Sequence, residues 1–169
     1  RIANALDSLG LDYIEGGYPG ANPTDSQFFA EDRKLASAVM TAFGMTKRAG
    51  RSADNDPGFM EVLNAQAGAV CLVAKSWDYH VDVALGISND ENLASIRDSV
   101  AAVGQHGREA MIDCEHFFDG YKANRDYALA CATAALEAGA RWVVLCDTNG
   151  GTLPDEVFEI VSDVAQHIP

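Results

Sequence analysis

Short apolar runs recur along the chain, and each leads through polar or glycine residues into a stretch with helical spacing. Five such runs cover residues 12–16, 37–43, 69–75, 109–115 and 141–147. Successive runs start about 25–40 residues apart, which leaves room for a strand, a helix and two loops. The runs lack regular polar alternation, as expected for parallel strands that are covered on both faces.

The stretches between the runs carry helix signals. The spacing of apolar residues predicts helices over residues 2–9, 88–103, 126–137 and 155–166. Ser88 followed by Glu91 is a capping-box signature, and Gly104 is expected to end that helix. Asn124 can cap the third helix, and Pro154 suits the first turn of the last one.

Five consecutive strand–helix units indicate an α/β fold with a parallel sheet. An open doubly wound sheet and a (β/α)8 TIM barrel compete. The chain contains neither GxGxxG nor GxxxxGK[ST], and several strands end in ionisable or hydroxyl residues, so the barrel is favoured. A complete barrel needs about 250 residues. We therefore expect residues 1–169 to form a single, partial TIM-barrel catalytic domain with about strands 2–6 of eight.

Composition excludes two classes of protein. No run approaches the roughly 20 apolar residues that span a bilayer. The net charge of −13 disfavours nucleic-acid binding, because an acidic surface repels phosphates. The four cysteines lie in apolar runs without CxxC spacing, which predicts small core residues in a reducing, cytoplasmic compartment.

Candidate chemistry lies at the strand ends. Because side chains alternate along a strand, Asp113 and Glu115 share one side and are expected to face the barrel axis with Glu15. Cys146 and Thr148 should likewise share a face. Carboxylates gathered at one mouth repel one another unless a cation joins them, so a divalent metal or an arginine is expected there.

Three other polar residues at or next to the strand ends have plain structural interpretations. Asp147 can simply cap the next helix, His116 can be loop packing, and Lys75 can be a solvated lysine. The four histidines show no HxH or HExxH spacing, so the sequence offers no evident metal ligands of that kind.

Four longer segments carry a family resemblance. They are YIEGGYPG at 13–20 with NPTD at 22–25, AFGMTKR at 42–48, EHFFDGYK at 115–122 and CDTNGG at 146–151. Together they resemble the citramalate synthase branch of the 2-isopropylmalate synthase and homocitrate synthase family, in the DRE-TIM metallolyase superfamily. The resemblance covers essentially the whole chain, and EHFFDGYK and DTNGG are specific to this branch.

The resemblance implies a (β/α)8 enzyme, a homodimer when complete, that joins the methyl carbon of acetyl-CoA to the keto carbon of a 2-oxo acid. For this branch the oxo acid is pyruvate and the product citramalate. The resemblance also implies a divalent metal (Mg, Mn or Zn) that polarises the keto group, and a base that removes a methyl proton.

Residue by residue, the resemblance implies two catalytic positions and three substrate-binding ones. Glu15 matches the glutamate that holds a substrate-binding arginine, and Glu115 matches the glutamate near the reacting carbons. Thr148 matches the threonine that bonds the oxo acid's carboxylate. Asp113 and His116 are carried over as further substrate-binding candidates.

The family's metal-binding aspartate, its substrate-binding arginine and its HxH pair have no counterpart in these 169 residues. We therefore expect the metal ligands to lie outside this chain, which by itself should bind no metal and be inactive. On this hypothesis the chain is part of a longer enzyme, or associates to cover its open edges. Alternatives are 2-isopropylmalate synthase, homocitrate synthase, a related lyase, or a non-catalytic fragment.

Overall fold

Five parallel strands form a single run of neighbours in a computed structural model that describes residues 1–31 and 33–168. Each strand pairs with the next strand along the chain, in the order β1 to β5. The five strands are β1 (Tyr13–Glu15), β2 (Val39–Met45), β3 (Ala69–Lys75), β4 (Glu109–Glu115) and β5 (Trp142–Leu145). The predicted α/β class and parallel pairing are confirmed.

Helices connect the strands. They are α1 (Ile2–Ser8), α2 (Pro23–Phe29), α3 (Pro57–Asn64), α4 (Asp78–His80), α5 (Asn89–Gln105), α6 (Phe117–Ala123), α7 (Arg125–Glu137) and α8 (Pro154–His167). A 3₁₀ turn covers Ala53–Asn55, and a π-helical turn, Val81–Leu85, continues α4. None of the helices in the described part of the chain is long and apolar enough to cross a membrane.

Two details of the helix prediction are wrong. Helix α5 continues through Gly104 to Gln105 instead of stopping before the glycine. The capping box is half formed: Ser88 Oγ accepts from Glu91 N at 3.1 Å, but the Glu91 side chain accepts from Gly50 N at 2.9 Å. The glutamate therefore ties a distant loop to the helix start instead of bonding back to Ser88.

Strand β2 starts two residues later than the apolar run that predicted it. The reason is Asp7 in α1, whose carboxylate accepts from the backbone N–H groups of Ala36, Ser37 and Ala38 at 2.6, 3.0 and 2.8 Å. Those groups bond a side chain instead of a neighbouring strand, so regular pairing begins only at Val39.

The sheet has two faces with different cores. Odd-numbered residues of β1–β4, with even-numbered ones of β5, share the inner face. The opposite residues, such as Leu72 and Ile112, pack in a large core beneath the helices. The inner face has a smaller cluster built on Ala69, Cys71 and Met111. Burial on both faces explains why the runs lack polar alternation.

The sheet is curved into part of a barrel. Trp142 in β5 donates from its indole N–H to the Tyr13 hydroxyl in β1 at 3.2 Å, although these strands lie at opposite ends of the sheet. The same Tyr13 hydroxyl donates to Glu109. Contacts across the inner face require strong curvature, so the incomplete barrel is confirmed over the open sheet.

Candidate active site at the carboxyl ends of the strands

Three carboxylates lie on the inner face near the carboxyl ends of their strands. Glu15 ends β1, Glu115 ends β4, and Asp113 precedes Glu115 by one full alternation. The pairing register places Asp113 beside Val73 and Glu115 beside Lys75, which are both inner-face residues of β3. The sequence therefore predicted correctly that Asp113 and Glu115 share the inner side.

A lysine supplies positive charge to one of these carboxylates, Glu115. The ammonium group of Lys75 contacts Glu115 Oε2 directly, and their side chains are only 17% and 27% exposed. The interpretation of Lys75 as a solvated lysine is therefore wrong. An ion pair with limited access to water interacts more strongly than one on the open surface.

The ends of β3 and β4 are fixed around this pair. Ser76 Oγ donates to the Glu115 carbonyl at 2.8 Å, and Ser76 N donates to the same oxygen at 3.3 Å. On the helix side, Asn92 Nδ2 donates to the Lys75 carbonyl at 2.8 Å. The backbones of both ion-pair residues are thus held by buried groups, which limits the positions their side chains can reach.

His116 lies between the β4 end and the loop after β5. It has a left-handed backbone with φ of 54°, which is uncommon for a residue other than glycine. Its N–H donates to Thr148 Oγ1 at 2.9 Å, and its ring Nδ1 lies 3.1 Å from Asp119 Oδ2. Asn149 Nδ2 donates to the same Asp119 oxygen at 2.9 Å. His116 therefore ties Thr148 to the end of β4.

A second histidine packs behind the ion pair. The His80 ring contacts the edge of the His116 ring, with centroids 4.5 Å apart, and lies 4.7 Å from the Trp77 ring. Burial lowers the pKa of His80, and the neighbouring His116 and Lys75 lower it further. This direction favours the neutral form of the His80 ring, in which one nitrogen donates and the other accepts a hydrogen bond.

Glu15, Cys71 and Asp113 form a group that could hold a metal ion, with one potential ligand atom from each within 4.8 Å of the others. Carboxylate oxygens suit Mg²⁺ or Mn²⁺, whereas a thiol suits Zn²⁺ and must lose its proton. Burial and the two carboxylates raise the pKa of Cys71 far above its usual range. The group therefore offers two carboxylates and one thiol, which must lose its proton when it binds a metal.

The loop after β5 completes the rim, by which we mean the residues at the carboxyl ends of the five strands. Cys146 N donates to the Cys114 carbonyl at 3.3 Å, which extends the pairing of β4 and β5. Burial, with Asp113 and Glu115 nearby, raises the pKa of Cys146 to about 11. Asp147 accepts from Thr152 N and Oγ1, both at 3.1 Å, so it braces the turn before α8. The interpretation of Asp147 as the cap of that helix is wrong, because the N-cap of α8 is Leu153.

A model of the HMGL-like family matches residues 1–169. This chain belongs to the HMGL-like family. The match extends over the whole sheet, its helices and every candidate residue described above.

The (R)-citramalate synthase of Aquifex aeolicus is 47% identical to this HMGL-like chain over 98% of its length. The 2-isopropylmalate synthase of Caulobacter vibrioides is 30% identical over 100% of the chain. The chain spans 32% and 31% of these two proteins, about a third of the length of the relatives it matches.

A solved structure shows the same fold. The hydroxymethylglutaryl-CoA lyase of Pseudomonas aeruginosa superposes with a TM-score of 0.76 at 21% identity, over 100% of this chain and 56% of that one. At this identity the likeness concerns the fold alone, and it agrees with a partial barrel.

Sequence reasoning missed three residues of the rim: Lys75, Cys71 and His80. The alternation that placed Asp113 inward also places Cys71 and Lys75 inward, because both are odd-numbered residues of β3. That signal was available for the lysine. His80 carried no comparable signal, because its position depends on the irregular turn that begins after Trp77.

Proposed function

We propose that the protein carrying this chain is a citramalate synthase that condenses acetyl-CoA with pyruvate and releases CoA. The observation that carries the proposal is the Lys75–Glu115 pair at the inner rim, where His116 also holds the Thr148 hydroxyl. A held carboxylate beside a hydroxyl donor suits proton removal from one substrate and binding of a carboxylate on the other. Similarity to citramalate synthases along nearly the whole chain supports the same substrates.

Each candidate residue has a proposed part in the reaction. Glu115 is the catalytic carboxylate that takes a proton from the thioester methyl group, and the Lys75 ammonium holds it in place. Thr148 Oγ1 accepts from His116 N, so its own proton remains available for the oxo acid's carboxylate. His116 positions Thr148 through this bond. Glu15 and Asp113 are the acidic wall that would face a cationic group.

We further propose that the complete enzyme requires Mg, Mn or Zn, with ligands mostly from outside this chain. Such a metal would act as a Lewis acid on the keto group of the oxo acid. The group of Glu15, Cys71 and Asp113 offers three side chains, whereas a closed tetrahedral centre has four ligands. The proposed roles of Glu115 and Thr148 do not depend on these three residues.

Substrate choice separates the candidate functions. The full-length protein should release CoA thiol from acetyl-CoA when pyruvate is added, and much more slowly with 2-oxoisovalerate or 2-oxoglutarate. Acceleration by 2-oxoisovalerate alone would instead support a 2-isopropylmalate synthase, the activity of a relative at 30% identity. Cleavage of a hydroxyacyl-CoA would support a lyase, and no thiol release with any of them would support a non-catalytic protein.

We propose that residues 1–169 are one partial catalytic domain of a cytoplasmic homodimer. The four cysteines are free, and Cys71, Cys114 and Cys131 are buried, which suits a reducing compartment. The net charge of −13 supports small-molecule substrates over nucleic acid. Light scattering on the full-length protein would test the dimer.

A further inference from the structure

Release of CoA in the proposed reaction requires a step beyond removal of the methyl proton. Condensation of acetyl-CoA with pyruvate leaves the thioester intact, as citramalyl-CoA, and only hydrolysis of that thioester frees the thiol. Water is a weak nucleophile, so the step is faster when a base takes its proton. The proposed function already assigns the methyl proton to Glu115, which contacts the Lys75 ammonium. A second base is therefore expected close to Glu115.

His116 has the arrangement of such a base. Its ring Nδ1 lies 3.1 Å from Asp119 Oδ2. A carboxylate can only accept a hydrogen bond, so Nδ1 carries a proton, and in the neutral ring Nε2 keeps the lone pair. Within residues 1–31 and 33–168, Nε2 has no hydrogen-bond partner, and the only buried side-chain atom without one is Ser95 Oγ. Nε2 is therefore open to a water molecule.

Neighbouring residues hold this histidine–carboxylate pair in place. Asn149 Nδ2 donates to the same Asp119 oxygen at 2.9 Å, and His116 N donates to Thr148 Oγ1 at 2.9 Å. Asn149 and Thr148 both follow β5, whereas His116 directly follows Glu115 at the end of β4. His116 therefore lies between the carboxylate and the hydroxyl to which the proposed function assigns the two substrates.

The other histidine of the site, His80, has no such carboxylate. Its ring packs against the rings of Trp77 and His116, with centroids 4.7 and 4.5 Å away. In the part of the chain that the structure describes, histidine–carboxylate pairs occur at His116 and at His167, which lies at the carboxyl end of α8. Since a catalytic base is commonly oriented by a further group, the geometry favours His116 over His80.

We propose that His116 is a catalytic residue that activates water for hydrolysis of the thioester, with Asp119 as its positioning residue. This inference rests on the proposed function, which supplies the thioester. Nε2 takes a proton from water as the water oxygen forms a bond to the thioester carbonyl carbon. The C–S bond then breaks, and the sulfur of CoA receives that proton from Nε2. The products are citramalic acid, which ionises in solution, and the free thiol, so the step needs no oxidant or reductant.

The test measures hydrolysis apart from condensation in the full-length protein. Hydrolysis is followed as thiol release from citramalyl-CoA supplied directly, and condensation as formation of citramalyl-CoA and citramalate in quenched mixtures of acetyl-CoA and pyruvate. His116→Asn should slow hydrolysis about 10²-fold or more, so that citramalyl-CoA accumulates. Asparagine suits the left-handed backbone and keeps the N–H that bonds Thr148, so condensation should slow much less.

Two further variants complete the comparison. Asp119→Asn keeps the shape of the side chain but removes the charge that stabilises the protonated ring. It should slow the same step by a smaller factor, and it tests the proposal even if His116→Asn does not fold. His106→Asn is the matched control, because His106 follows α5 and its Nδ1 lies 2.8 Å from the Ala102 carbonyl oxygen, outside the candidate site. This control should behave as the parent does.

The outcomes separate this inference from the proposed function. Accumulation of citramalyl-CoA in either site variant, with none in His106→Asn, supports the role of His116. Equal losses of condensation and hydrolysis, or no accumulation in either variant, overturn it, as does a parent protein that leaves supplied citramalyl-CoA intact. A parent that hydrolyses this thioester but does not use pyruvate contradicts the proposed function alone. The role of His116 then stands or falls on whether both site variants slow hydrolysis and His106→Asn does not.

Discussion

Replacing Gly120 by alanine should damage both stability and activity, because this glycine lets α6 contact the loop after β3. A Cβ atom at Gly120 would lie 2.4 Å from the Ser76 carbonyl oxygen and 2.9 Å from Trp77 Cα. Both neighbours are backbone atoms, which cannot rotate away as a flexible side chain can. The glycine of the EHFFDGYK segment therefore has a packing role that its sequence context did not reveal.

The size of the effect follows from this geometry. Ser76 must retreat by about 1 Å to reach ordinary contact distance, and overpacking of this kind costs about 1–3 kcal/mol. The higher helix propensity of alanine offsets about 1 kcal/mol of this cost, so we expect a net loss of up to about 2 kcal/mol in the free energy of unfolding. Ser76 also holds the Glu115 carbonyl, and a shift of about 1 Å at a catalytic group can lower kcat about 10²-fold.

Gly104→Ala is the matched control for this substitution. Gly104 is also a helical glycine, but a Cβ there would meet nothing within 4 Å. The Gly104→Ala substitution should stabilise the protein by about 0.5–1 kcal/mol and leave kcat unchanged. Urea unfolding of both variants in the full-length protein, with kcat measured in parallel, checks the comparison. Equal stability and equal kcat for the two variants would refute the packing argument.

Four further substitutions test the bonds from Asp7 to the segment before β2 and the residues of the candidate active site. Backbone bonds from Ala38, Ala36 and Ser37 lower the pKa of Asp7 to about 2. The stability contributed by the ionised Asp7 is therefore present above pH 4 and lost as the pH falls toward 2, so Asp7→Asn should flatten unfolding free energy against pH over this range. Lys75→Met should lower kcat more than it raises either KM, with partial recovery in Lys75→Arg. Glu115→Gln should lower kcat about 10²-fold or more, whereas the exposed control Glu137→Gln should not. Thr148→Val should raise the KM for pyruvate by an amount equivalent to about 1–3 kcal/mol, and an unchanged KM would remove Thr148 from the oxo-acid site.

Local sequence patterns were enough to predict the parallel strands and the shared inner side of Asp113 and Glu115. Apolar runs without polar alternation gave the parallel strands, because burial on both faces leaves a direct trace in sequence. The two-residue period placed Asp113 and Glu115 on one side, since a strand has no other way to present them. The bounds of β2 could not be predicted from its own residues, because Asp7, about 30 positions earlier, decides where pairing begins.

Contacts between distant segments could not be predicted from local patterns. Lys75 and Glu115 are 40 residues apart, and only the register of β3 against β4 brings them together. The left-handed backbone of His116 and its bond to Thr148, 32 residues later, likewise depend on how two loops meet. The sequence therefore predicted several residues of this site but not the hydrogen bonds and ion pairs that hold them in position.

The inner face of the sheet has exposed apolar side chains in β5 and two neighbouring carboxylates in β1 and β4, and these features indicate what should pack against it. Trp142 and Val144 point into the barrel interior yet remain 50% and 42% exposed, and Glu15 on the same face is exposed as well. The Lys75 ammonium contacts Glu115, which leaves the Glu15 and Asp113 carboxylates close together beside a buried thiol. A surface that packs against this face should therefore place apolar side chains against Trp142 and Val144. It should place a positive charge beside Glu15 and Asp113. The relatives are about three times as long as this chain, so we expect the remaining strands of the barrel to bring apolar side chains to Trp142 and a cation to Glu15.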